Sequence, residues 1–107
     1  MKNPGMLMKG LAEMQKRMTA AQEKLAATDF DGDAAGGLVR VVINGKGELK
    51  GVTISPAVMD EGPDMLSDLV QAAYNVAFAK KEEAAKAVLG SLTTGLMPLG
   101  IKLPGLG

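Results

Sequence analysis

Leu38-Val39-Arg40-Val41-Val42-Ile43-Asn44-Gly45-Lys46-Gly47-Glu48-Leu49-Lys50-Gly51-Val52-Thr53-Ile54 is the stretch on which the fold turns. Its first six residues are dominated by β-branched side chains, which suit a pleated, half-buried surface. Asn44-Gly45 followed by Lys46-Gly47 supplies the left-handed conformations of a tight hairpin turn, and Glu48–Ile54 is the returning strand. Loops of two and of three residues both fit between Asn44 and Gly47, so the spacing leaves the register open. Alternation is incomplete, so the outer face of the pair is not wholly polar.

Downstream, Ser55-Pro56 reads as a helix N-cap with proline in the first turn, opening a short turn to about Asp60. Gly62-Pro63-Asp64 opens a second long helix in the same way, with Asp64 and Asp68 where the helix dipole favours negative charge. Met65, Leu66, Leu69, Val70, Ala73, Val76 and Ala77 give it a wide apolar face suited to a sheet. After Phe78 it turns polar through Lys80, Lys81, Glu82, Glu83 and Lys86, and Gly90 is its expected end. Lys80 and Lys81 read as complements to the dipole of a C-terminal half. Upstream, Asn3 and Pro4 open a helix over residues 4–28 whose apolar positions are Leu7, Leu11, Met14, Met18, Ala21 and Leu25. Spacings alternating between four and three residues make an a/d seam, which suits a helix facing another helix. Thr28-Asp29-Phe30-Asp31-Gly32-Asp33 breaks that helix, as an acidic solvated connection or as an irregular edge strand continuing through Gly37. The class is α+β: a small antiparallel sheet flanked by two long helices. One domain over 1–107 divides into a helix at 1–28, strands within 29–55, a turn and second helix over 56–90, and a Gly/Leu/Pro-rich tail at 91–107 without regular period.

The chain has 107 residues, no Cys, no His and no Trp. Disulfides and thiolate chemistry are excluded, which suits a reducing cytoplasm, and zinc sites and His-assisted nucleophilic catalysis lack their ligands and bases. Asp29, Asp31 and Asp33 resemble a calcium loop until its sixth and twelfth positions are reached. These are Ala34 and Arg40, where glycine and glutamate are required. Gly45-Lys46-Gly47 lacks the remainder of a phosphate loop. The expectation is a protein without catalytic residues, metal, cofactor or small-molecule substrate. No run nears the ~18 apolar residues of a membrane span, and the N-terminus shows no secretory pattern, so no membrane partner is expected.

Formal net charge is zero, but its distribution is uneven. Residues 1–28 carry net +3, 29–34 net −3, 35–55 net +2, 56–68 net −4 and 69–107 net +2. With Leu11, Met14 and Met18 in the seam, Lys2, Lys9 and Lys16 recur every seven residues on the outer face of the first helix, with Arg17 and Lys24 beside them. A rod bearing such a row matches the phosphate spacing of duplex DNA without reading bases. Glu13, four residues before Arg17, would blunt the field there. Arg40, Lys46 and Lys50 add positive charge on the hairpin. A two-fold dimer joined through Leu7, Leu11, Met14, Met18, Ala21 and Leu25 would double the row.

The ordered set Met14-Gln15-Lys16 to Leu25, Gly36-Gly37-Leu38-Val39-Arg40-Val41, Asn44-Gly45-Lys46-Gly47, Ile54-Ser55-Pro56, Met65-Leu66-Ser67-Asp68-Leu69-Val70-Gln71-Ala72-Ala73 with Asn75, and the Gly/Met/Pro/Leu tail resembles the YbaB/EbfC family of bacterial nucleoid-associated proteins. The resemblance implies an α-β-β-β-α fold and a tweezer-like homodimer with projecting helices. It also implies a place in the cytoplasm on the nucleoid, and binding to double-stranded DNA that alters its conformation and influences gene expression. Ser55 stands where many relatives carry Asp, and both residue types cap helices. The alternative is a protein–protein adaptor gripping its partner with the projecting helices and apolar tail.

Overall fold

The computed structural model describes residues 4–94. Its elements are α1 (Pro4–Ala27), β1 (Asp29–Ala34), β2 (Val39–Asn44), β3 (Leu49–Ile54), α2 (Pro56–Met59) and α3 (Pro63–Thr94). The α-β-β-β-α order implied by the family resemblance is present, with α2 as a single turn before the last helix. The strands form one antiparallel sheet in the order β1-β2-β3. Asn3 and the tail beyond Thr94 lie outside the described residues.

The segment carrying Asp29, Asp31 and Asp33 is a regular strand. Asp29 stands opposite Asn44 and Ala34 opposite Val39. Period two sends Phe30, Gly32 and Ala34 to one face and the three carboxylates to the other. The chain then reverses through Ala35, Gly36 and Gly37, all at positive φ, so the strand does not extend through Gly37. Local composition read as solvated here because the partner that orders it, β2, is distant from view in a local window.

The hairpin register follows from Asn44. Its carbonyl accepts the Gly47 N–H at 2.9 Å, and its N–H donates to the Glu48 carbonyl at 3.0 Å. Gly47 has φ +84°, so Gly45–Gly47 is the three-residue loop with a left-handed glycine at its end. The Asn44 Oδ1 accepts the Lys46 and Glu48 N–H groups at 2.9 and 3.0 Å, while its Nδ2 donates to Glu48 Oε1 at 2.7 Å. Further along, Val42 faces Gly51 but Ile43 faces Leu49, which leaves Lys50 as a bulged residue.

Val39, Val41 and Ile43 on β2, Val58 on α2, and Ala73 and Ala77 on α3 form the fully buried core. α3 runs along β1 and β2. A helix is about 10 Å across and strands are ~4.8 Å apart, so one helix covers two strands. Gly32 permits the approach: a Cβ there would collide with the Ala73 carbonyl and the Ala77 N–H. At the other end, Gly45 lies against the Leu25 carbonyl and Ala26, which seats the end of α1 on the hairpin.

Four expectations change. Met65 and Val76 are exposed, because the face of α3 that meets the sheet is narrower and centred on Ala73 and Ala77. The Ser55 hydroxyl makes no capping bond, and its backbone serves instead, accepting the Val58 N–H and donating to Leu38. α3 continues through Gly90 to Thr94, since a single glycine costs a helix only ~1 kcal/mol. Lys80 and Lys81 therefore stand mid-helix, where dipole complementarity does not act.

Candidate nucleic-acid interface

α1 is 24 residues long, about 36 Å at 1.5 Å per residue. Only its C-terminal end is seated on the sheet, so the rest forms an arm. The radius of gyration is 20.0 Å, against about 13 Å for a compact domain of 100 residues. That difference comes from the long helices.

Lys9, Lys16, Arg17 and Lys24 are all exposed on this arm. At 100° per residue they occupy an arc of roughly 100° on the side away from Leu7, Leu11 and Met18. Lys9 to Lys24 spans about 22 Å along the axis. Among the described residues none of the four forms an ion pair. Glu13 and Arg17, expected to pair, do not come within ion-pair distance. Glu13 and Glu23 nevertheless share the outer face, so the row is basic on balance rather than throughout. Lys2 lies outside the described residues.

The hairpin cations divide. Lys46 stands exposed at the turn, next to the place where α1 ends against Gly45. Lys50 is exposed at the bulge. Arg40 is engaged instead: its Nη2 donates to Asp31 Oδ2 at 2.9 Å, and Lys80 Nζ lies 3.8 Å from the other oxygen of that carboxylate. Asp33 stands directly opposite Arg40 across the strands. The outer face of the sheet, carrying Asp31 and Asp33, is thus not a free cationic surface. Lys81 packs over the Phe78 ring at 4.8 Å and pairs with Glu82 at 3.1 Å. The role of Lys80 was hidden in the sequence because Asp31 meets α3 only in the folded protein.

The six seam positions also divide. Leu7, Leu11 and Met18 are exposed, Leu11 by 56 %. Met14, Ala21 and Leu25 are half-buried on a helix that meets α3 of the same chain. The tip adds Met6 and Met8, both strongly exposed. Among the described residues no cluster of carboxylates is placed to hold a metal ion. No described helix is long and apolar enough to cross a membrane.

A model of the YbaB/EbfC DNA-binding family matches residues 1–96. A nucleoid-associated protein of Polynucleobacter asymbioticus is 48 % identical over 99 residues, covering 92 % of this chain and 92 % of that protein. A nucleoid-associated protein of Agrobacterium fabrum is 43 % identical over 100 residues, covering 92 % and 94 % respectively. The crystal structure of an uncharacterized protein from Helicobacter pylori superimposes with a TM-score of 0.69 at 27 % identity, covering 80 % of this chain and 91 % of that one.

Proposed function

The chain belongs to the YbaB/EbfC DNA-binding family, and on that premise we propose that it binds double-stranded DNA as a homodimer, with the outer row of α1 against the phosphates. The observation that carries this reading is the row itself: four exposed cations on one side of a projecting helix, none committed to a carboxylate. Duplex DNA presents a charge about every 1.7 Å, so each cation on the rod finds a phosphate and releases a counterion. Contacts of this kind position a protein and carry no sequence information. The role that follows is architectural: occupancy on the cytoplasmic nucleoid changes the path of the DNA, and gene expression responds to it. Two arms on one dimer bind far more tightly than one, provided both reach the same duplex.

Of the hairpin residues, Arg40 serves the sheet through Asp31. Turnover has no part in the reading: a chain without His or Cys offers no imidazole base and no thiolate.

The test replaces Lys9, Lys16, Arg17 and Lys24 with Gln and measures duplex binding by mobility shift at low salt, with circular dichroism as the control for folding. Binding should weaken by at least about tenfold while the spectrum is unchanged. Undiminished binding by the folded variant would reject the α1 surface. The exposed Met6, Leu7, Met8 and Leu11 at the arm's tip favour a second reading, a protein partner gripped by that tip. A stoichiometric protein partner together with no DNA retention near physiological salt would select it.

A further inference from the structure

Met6 and Gly10 stand on the outer side of α1, and a row of phosphate contacts gives neither of them a task. Met6 is 69 % exposed. At 100° per residue the exposed cations of α1 fall in two lines, Lys9 with Lys16 and Arg17 with Lys24, roughly 80° apart. Met6, Glu13 and Ala20, spaced by seven residues, run between those lines. Among the described residues of α1, Met6 is the one large apolar side chain on that side; Leu7, Leu11 and Met18 point the opposite way, and Met8 stands to the flank. Gly10 follows Met6 by one turn. Helical side chains lean toward the N-terminus, so a side chain at position 10 would lie over Met6. Packing does not require the glycine, because a Cβ there would meet nothing within 4 Å. Glycine weakens a helix interior, and here it keeps the approach to Met6 clear.

Two lines of cations set a rod astride a groove, each line toward one phosphate strand. The line between them then faces the base edges. Midway along it Glu13 is repelled by the phosphates, and Ala20 is too short to reach past the backbone. At the end of the line Met6 is long, unbranched and polarizable. Apolar side chains of this kind enter base steps from the minor groove, unstack them and kink the duplex by about 20–90°.

We infer that Met6 is a wedge: it enters a base step of the bound duplex from the minor groove, and this insertion is what bends the DNA. Met6 acts so only if α1 is the DNA-facing arm, as proposed above. The cations then supply affinity and Met6 supplies deformation. Insertion costs least where stacking is weakest, at pyrimidine–purine steps. Duplexes with a TA or CA step are therefore preferred over stiff A-tracts, through deformability rather than through hydrogen bonds to base edges.

The test uses the full chain and two short duplexes with a donor and an acceptor dye at opposite ends, one with a central TA step and one with a central A-tract. Energy transfer reads the bend, mobility shift reads affinity, and topoisomerase relaxation of a closed circular plasmid reads unwinding. The parent should bend the TA duplex more than the A-tract and should unwind the plasmid. Met6→Gln, which keeps length and helix propensity, should bind less than about tenfold more weakly, with unchanged salt dependence, because the cations remain. It should bend and unwind at most about half as much as the parent and should lose the preference between duplexes. Met6→Leu should retain the bend, and Leu7→Gln, on the opposite side, should leave it intact; circular dichroism checks that each variant folds. A Met6→Gln complex as bent and unwound as the parent's, or a bend lost in Leu7→Gln instead, would overturn the inference. The two claims fail differently. A parent that shifts neither duplex at low salt removes DNA binding and the wedge with it, whereas a parent that binds both duplexes and bends neither removes the wedge alone.

Discussion

Replacing Gly32 with Ala adds one methyl group to a strand, and strands ordinarily gain about 0.5–1 kcal/mol from that exchange. Here the sign should reverse. The new Cβ would fall on the Ala73 carbonyl and the Ala77 N–H of α3, backbone atoms that cannot swing aside as a side-chain end would. The helix must lift, or β1 must peel away. Lifting α3 by 0.5–1 Å forfeits roughly a quarter to a half of each dispersion contact across the gap. The contacts at stake join Ala73 and Ala77 to Val39, Val41 and Ile43, most of the fully buried core. Overpacking usually costs about 1–3 kcal/mol, and a backbone collision belongs at the upper end. A loss of about 3 kcal/mol lowers the melting temperature of a domain this size by roughly 12–24 °C. Thermal unfolding followed by circular dichroism reads it directly. A variant melting at or above the parent temperature would show that α3 does not lie on β1 as described.

Gly45→Ala makes the same collision with the Leu25 carbonyl, but the element displaced is the lightly seated α1 arm. Its melting temperature should fall less than that of Gly32→Ala, while duplex affinity in a mobility shift falls because the basic row is re-aimed. Asn44→Ala removes three side-chain hydrogen bonds at the turn, a loss of about 2 kcal/mol at ordinary net values, read as a lower urea midpoint with unchanged slope. Asp31→Asn releases Arg40 and Lys80 from a shared, half-exposed carboxylate. Stability should change by less than about 1 kcal/mol, and low-salt DNA affinity should rise. Unchanged or weaker binding would show that the outer face of the sheet lies away from the DNA.

Much of the fold was legible locally. Asn44 and the glycines beside it announced the hairpin, and the β-branched run from Val39 to Ile43 announced its first strand. The heptad residues from Leu7 to Leu25 announced a long helix. What stayed hidden depends on contacts between distant segments. Asp29–Ala34 has the composition of a connection and becomes a strand because β2 supplies its ladder. Gly90 looks like a helix end, but its modest cost does not stop α3. In the candidate site, spacing alone put Lys9, Lys16, Arg17 and Lys24 on one side of a long helix, and they stand exposed on α1. Arg40 could not be separated from them, because its partner Asp31 is fixed by strand register and Lys80 reaches the same carboxylate from another element.

If duplex DNA is held by the phosphate-facing row on α1, the salt dependence of binding must report it. The row covers about 22 Å at helical rise, which passes roughly 13 phosphate charges, so all four cations can be engaged at once. Each contact contributes about −0.9 to the slope of log K against log salt. The expected slope is about −3.6 if one arm binds and about −7 if both do, falling toward zero in the four-residue Gln variant. A slope near zero in the parent protein, or one that the variant leaves unchanged, would contradict it.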